Sequence, residues 1–384
     1  NKRLIKIFFE STKSLKFSSK EEFDFYKFLL RKFKNLKNLD LNDLEIGQEG
    51  ALYLSIIKLD KLETLNLNYN SIEEGILSLS EINFKNLKIL NFNNNNIREF
   101  GLKYLVSGNM DNLITLELNN NYIGDYGMKY LTRAKFQKNL ENLSLNHNNI
   151  TSLGVKFLAE ANFISLKSLS FYKNNIGNDG IKYLSKANFK YLISLDVYNN
   201  DIEDEGFKYL SEANFENLET LIANNNSISN EGIIYLSQSN FKNLKTLNFN
   251  NNNIASEGIK YLIKSKFKNL QNISLYYNKF GPVGAKYLFS SNFEKLRILN
   301  LYNNDITDEG IKYIEEAKFN DLERLNLIQN KIGCEGIKNL SKANFMKLDN
   351  LNLYGNKIGP NGMLYLSQAN FYNLKTLNLY DNKI

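Results

Sequence analysis

The chain has 384 residues, 43% hydrophobic and 23% charged, with a formal net charge of +7 and a single cysteine, Cys334. One cysteine excludes internal disulfides and a cysteine-ligated zinc cage, and no run approaches the ~18–20 apolar residues that a membrane-crossing helix needs. Arginine is sparse and no basic run interleaves with aromatics, so the charge balance does not describe a nucleic-acid groove.

Residues 1–35 lack the pattern that fills the rest of the chain. Leu4-Ile5-Lys6-Ile7-Phe8-Phe9 is expected to form a strand. Ser19-Lys20-Glu21-Glu22 has capping-box spacing, and Phe23, Tyr26, Leu30 and Phe33 follow at helical intervals. Residues 19–33 are therefore predicted to be the helix of an incomplete leading copy. Residues 1–35 read as an N-terminal cap or incomplete leading repeat, placed over an array that fills 36–384.

That array repeats L-x-x-L-x-L-x-x-N-x-I-x-x-x-G-x-x-x-L-x-x-x-x-F. Copies begin at Leu36, Leu62, Leu87, Leu113, Leu140, Leu166, Leu192, Leu218, Leu244, Leu270, Leu296, Leu322, Leu348 and Leu374, spaced by 26 apart from one step of 25 and one of 27. A fixed period of this size is the signature of a solenoid. Thirteen copies are full and the last is truncated.

Within the copy at Leu192, Leu195 and Val197 alternate with polar neighbours, which describes a short strand with one inner face. Asn200 ends it. Asparagine can both donate to and accept from the backbone of a turn, so Asn200 and its equivalents are expected to form a buried hydrogen-bonded ladder. Glu205-Gly206 opens a helix, with the carboxylate near its positive end, and Phe207 and Leu210 face the strands. Asn214 and its equivalents are expected to stop the helix in a left-handed conformation. The phenylalanine after each, Phe215 or Phe267 for example, should build a spine between helices and strands. Pro282 and Pro360 fall in turns before helices. Neither half of a copy buries its apolar face alone; stacking buries both.

These residues resemble the leucine-rich repeat family. The G-x-x-x-L half, as in Gly206-Phe207-Lys208-Tyr209-Leu210, resembles the ribonuclease-inhibitor-like branch that includes the bacterial GALA type. The resemblance covers Leu36 to Ile384. It implies an α/β fold, a right-handed horseshoe solenoid with a parallel β-sheet on its concave side and helices on its convex side, and a role in binding. Secreted relatives often have disulfide-bonded caps, and a single cysteine allows none. An intracellular, cytoplasmic setting is expected, with a secreted or host-delivered protein as the alternative.

Strand residues pointing away from the core line the concave sheet. Just after the second core residue, the first five copies carry asparagine (Asn42, Asn68, Asn93, Asn119, Asn146), and six of the last nine carry tyrosine: Tyr172, Tyr198, Tyr276, Tyr302, Tyr354 and Tyr380. Adjacent strands lie roughly 4.8 Å apart, so Tyr276, Tyr302, Ile328, Tyr354 and Tyr380 are expected to form one ridge, widened by Tyr277. Tyrosine gives a large, fairly rigid contact with a polar tip. An AT-rich coding bias also supplies tyrosine, but the helix position three after glycine takes up ten of the 23. Asn300, Asn326 and Asn352 lie in the neighbouring row. The expected partner of this tyrosine–asparagine face is a protein or peptide; a glycan is the alternative.

No chemistry is expected. His147, the one histidine, reads as an exposed rim residue seven copies from Cys334. Asp40, Glu117 and Asp196 stand too far apart to act as paired carboxylates, and no phosphate loop, cofactor motif or metal site is visible. Lysine recurs two residues after the helix glycine, as in Lys103, Lys208 and Lys338, and reads as a solvated convex surface. The chain opens on Asn1 rather than Met and stops within a copy, so it is expected to be part of something longer, or to pair through its last strand. The resemblance also implies rival settings, the recognition arm of an effector or sensor, such as a ubiquitin-ligase adaptor or a small-GTPase regulator. No F-box-like pattern supports the first, and no residues of the second can be placed on this chain.

Overall fold

The computed structural model describes residues 2–384, with side chains from Ile7 onward. The chain divides into two compact units: residues up to Ile176 together with Lys186–Leu192, and Gly177–Ser185 together with Ile193–Ile384. In the first unit, three-residue strands from Ser14–Lys16 to Ser168–Ser170 lie side by side in chain order, each parallel to the next. In the second, strands from Ser194–Asp196 to Thr376–Asn378 do the same. A short helix follows nearly every strand, as Asp204–Ser211 follows Ser194–Asp196.

The repeat residues build these layers as their chemistry requires. Leu195, Val197, Phe207 and Leu210 are fully buried, and so are Phe215, Phe241 and Phe267 of the spine. Spine rings of neighbouring copies lie nearly parallel, Phe215 on Phe241 at 6.5 Å and Phe319 on Phe345 at 6.4 Å between centroids. The asparagine ladder forms as expected. The Oδ1 atom of Asn330 accepts from the backbone N–H groups of Asn304 (2.9 Å) and Ile306 (3.3 Å) one copy earlier. Its Nδ2 donates to the carbonyls of Leu301 (2.8 Å) and Ile328 (3.1 Å).

A second ladder was not anticipated from the sequence. Asp204, in the first turn of its helix, accepts through Oδ1 from the backbone N–H groups of Ser229 (2.7 Å) and Gly232 (2.9 Å), which open the next helix. Asp125 does this for Thr151 and Gly154, and Asn178 for Glu203 and Gly206. These copies therefore cap their successors, satisfying donors that a helix start leaves unpaired. This explains the glycine. A Cβ on Gly206 would lie 2.8 Å from Asn178 Oδ1 and 2.6 Å from Ile202 Cγ2.

A charge ladder runs along the start of the strands. Glu63 bonds to both Lys37 and Lys88, and Glu141 pairs with Lys167 (2.8 Å). In the second unit Glu219 pairs with Lys245 (2.7 Å), and Arg297 meets Glu323 through two bonds of 2.9 and 3.0 Å. Exposed pairs add little stability, but opposite signs on adjacent strands favour the observed register. The two lysines hold the Glu63 carboxyl down at about 2.

Four local expectations are corrected. Residues 4–9 lie in a helix, Lys2–Ser11, rather than a strand. The slot beside Asn38–Asp40 is taken by Ser14–Lys16, and Phe8 and Phe9 pack edge-on against Phe33. The expected helix at 19–33 is α-helical only over Lys20–Tyr26, continuing as a 3-10 helix over Lys27–Lys32; Ser19 caps it, accepting from the Glu22 N–H at 3.2 Å. None of the helix-exit asparagines is left-handed. Helices end earlier through tight turns, as where the N–H groups of Glu212 and Ala213 donate to Tyr209 and Leu210, and positive φ instead flanks the ladder asparagine, at Asn199 and Asp201 (both 55°). Pro282 and Pro360 lie inside the first turn of their helices, where a missing N–H costs nothing.

Candidate functional site

The strand layer of the second unit carries the expected face. Leu299, Leu325 and Leu351 point into the core, and Asn300, Asn326 and Asn352 stand in register beside them on the opposite side. Each of these asparagines folds back on its own strand exit. The backbone N–H groups of Tyr302, Ile328 and Tyr354 donate to Asn300, Asn326 and Asn352 Oδ1 at 3.2, 3.0 and 3.1 Å. That Asx-type turn uses the acceptor and aims the following side chain. Among the described residues, the three Nδ2 donors meet no acceptor.

The tyrosines form two groups rather than one ridge. Tyr276, Tyr277 and Tyr302 make a triangle, with centroid distances of 5.8, 6.1 and 4.8 Å and a hydroxyl–hydroxyl bond of 2.7 Å between Tyr277 and Tyr302. Tyr354 and Tyr380 stack at 5.6 Å with planes 1° apart. Ile328 takes the intervening strand position. Because the rings lean on each other, Tyr276, Tyr302 and Tyr354 are half-buried, while Tyr277 is 41% and Tyr380 75% exposed.

Tyr198 has a partner of a different kind. The Tyr198 hydroxyl accepts from Asn225 Nδ2 at 2.9 Å. In the first unit, Tyr172 meets the His147 ring edge-on at 5.0 Å and lies under the Lys173 ammonium. His147 is therefore half-buried rather than an exposed rim residue, and burial, with Lys173 beside it, lowers its pKa. Cys334 is the first residue of a helix, Cys334–Leu340, and is partly buried. The sheet-face asparagines of the first unit bond sideways, Asn68 Nδ2 to Asn42 Oδ1 (2.8 Å) and Ser144 Oγ to Asn119 Oδ1 (2.7 Å). Asp40 and Glu117 serve this network, accepting from Asn66 and Asn93. The convex lysines do more than face solvent: Lys182 lies 5.2 Å from the Tyr209 ring and Lys286 4.8 Å from that of Tyr313, one copy on.

The hydrogen bond with Tyr277 and partial burial push the Tyr302 phenol up to about 12. A raised pKa favours the neutral folded form, so this stabilisation is complete below the ordinary phenol value near 10 and is lost as pH rises through about 12. In an alkaline absorbance titration, Tyr302 should contribute a late step. Tyr277→Phe should remove that late step. An unchanged titration would break the assignment.

Among the described residues, no three His, Cys, Asp or Glu side chains converge as a metal-ligand set, and no helix is long and apolar enough to cross a membrane.

A family model described as "Leucine Rich repeat" matches residues 137–159, 164–185, 190–211, 242–262 and 294–314. An internalin of Listeria monocytogenes is 22% identical with a TM-score of 0.57, over 85% of this chain and 82% of that one. A leucine-rich repeat protein of Leptospira interrogans is 25% identical with a TM-score of 0.56, over 92% and 80%. The yeast complex of Rad7 and Elc1 contains a chain 17% identical with a TM-score of 0.52, over 87% and 88%. No curated protein sequence matches. The matched repeats are leucine-rich repeats, and the fold is the α/β leucine-rich repeat solenoid.

Proposed function

We propose that this chain is a protein-interaction module that binds a partner protein or peptide on the sheet face of its second unit. One observation carries the reading: Tyr276, Tyr277 and Tyr302, together with the stacked Tyr354 and Tyr380, stand beside a row of asparagine amides with unspent donors. Pre-packed rings lose little entropy on binding, and their hydroxyls and the amides can meet the carbonyls of a polypeptide. The similarity to the yeast complex supports only the fold, since fold does not decide function.

In this reading the protein is non-catalytic and takes neither cofactor nor nucleic acid. Residues 1–35 serve as its cap, supported by the pairing of Ser14–Lys16 with Asn38–Asp40. The helix in nearly every copy supports placement in the ribonuclease-inhibitor-like, GALA-type branch. A single cysteine fits an intracellular setting.

Changing Tyr276, Tyr302 and Tyr354 together to serine should abolish capture of the partner from source-cell lysate while far-ultraviolet circular dichroism stays near that of the parent. The half-burial of these rings means some stability will be lost, so the comparison belongs well below the melting transition. Equal capture by variant and parent would refute the sheet face as the binding surface.

A further inference from the structure

We infer that the helix layer of the first unit is a second docking surface, shaped for an amphipathic helix of a partner protein with lysine or arginine along one edge. Equivalent positions in successive copies can be compared directly, since each repeat is a natural variant of its neighbours. Beside the helix glycine, the second unit carries charge that is locally paired: Glu257 with Lys260 at 2.9 Å, and Glu335 with Lys338 at 3.3 Å. In the first unit the same two columns carry Leu52, Leu77, Phe100, Tyr126 and Leu153, on five successive helices. All are exposed, Phe100 by 59% and Tyr126 by 70%. Nothing in the repeat requires this, because the core side of each helix is already filled. In the second unit the apolar exceptions in these two columns are isolated, Val283 in the first and Ile234 and Leu364 in the second, on separate helices, which is ordinary for a protein surface; five in a row is not.

The stripe has a shape and a charge. Neighbouring helices pack 8–10 Å apart, so five of them span ~36 Å, the length of a helix of ~24 residues. Between Leu77 and Phe100 lies a groove of about 420 Å³, rimmed by Glu73 and Glu74, with Arg98 the one cation on it. Glu49 extends the acidic edge beside Leu52. The opposite edge, beside Phe100 and Tyr126, carries Lys103 and Lys129, whose ammonium groups rest over the rings of Tyr130 and Phe157. A partner helix fits when a large apolar side chain enters the groove, with cations on the edge that meets the glutamates and acids on the other.

The test uses the whole chain and two fluorescein-labelled synthetic peptides of the same length and leucine face. One has lysine along one edge and glutamate along the other; the second has glutamine on both. The charged peptide should bind saturably and about tenfold more tightly at low salt, a preference that shrinks as salt screens it. Leu77→Glu with Phe100→Glu should weaken it at least ~10-fold; both residues are exposed, so the thermal midpoint should hold. Glu73→Lys with Glu74→Lys should erase the preference for charge, whereas Tyr302→Ser, on the sheet face, should leave binding unchanged. The proposal falls if neither peptide binds saturably, if the glutamine peptide binds equally well, or if the Leu77 and Phe100 changes have no effect. It also falls if the chain proves to self-associate through those two residues, seen as concentration-dependent sedimentation lost in the same variant.

Discussion

Asn330→Ala should destabilise the second unit by roughly 4–6 kcal/mol, the effect of stranding buried backbone groups at ~1–3 kcal/mol each. Its carboxamide joins four backbone groups across two copies, the N–H of Asn304 and Ile306 and the carbonyls of Leu301 and Ile328. Asn330 is fully buried, so water cannot replace those bonds without opening the turn. Asn330→Asp should not rescue. It keeps the acceptor but turns a second carboxylate oxygen, which has no donor of its own, toward two carbonyls, and that burial is costly. Asn326, four residues earlier on the open face, is the control: its alanine variant should cost under ~1 kcal/mol. Urea unfolding followed by far-ultraviolet circular dichroism gives both numbers. A loss at Asn330 no larger than at Asn326 would mean that the ladder is ornamental.

Phe267→Ala is expected to cost ~3–5 kcal/mol through lost burial and the cavity left behind. Phe267 is fully buried, at the bend where the helix layer returns to the strands. Because contacts in a solenoid run only to neighbouring copies, damage at one should split the transition rather than only shift it. A lowered m-value or a second inflection in the urea curve is therefore expected. Phe267→Leu should recover most of the loss. A single transition at the parent midpoint would remove the spine as a source of stability.

What could be read from the chain depended on how far apart the interacting residues lie. Strand, ladder asparagine, helix and spine are all written inside one copy, and a period of 26 repeats that message along the chain. The inter-copy caps were equally periodic, with Asp125, Asn178 and Asp204 each two residues before the helix glycine. Their purpose shows only when the next copy is laid alongside, because their acceptor role is played out 25 to 29 residues downstream. The alternating charges Lys37, Glu63 and Lys88 were legible in the same way, once read down a column rather than along the chain. The helix-exit asparagines misled because a residue able to adopt a left-handed conformation need not do so; the turns that required it lay at Asn199 and Asp201.

The tyrosine positions divided similarly. Strand spacing placed Tyr276, Tyr302, Tyr354 and Tyr380 in one row, and the structure has them in that row. The grouping into a triangle and a stacked pair, with Ile328 between them, shows only in how the rings pack. Helix against strand at residues 4–9 was decided by competition for one edge position, which Ser14–Lys16 occupies.

By itself, the sequence determined the α/β leucine-rich repeat fold, the register of its strands and the identity of its core, because each is a local pattern repeated until no other packing competes. Only the tertiary structure decided which polar groups were already spent and which surfaces stayed open. The partner that spends an asparagine's oxygen, leans on a tyrosine or leaves Phe100 uncovered comes from elsewhere in the fold.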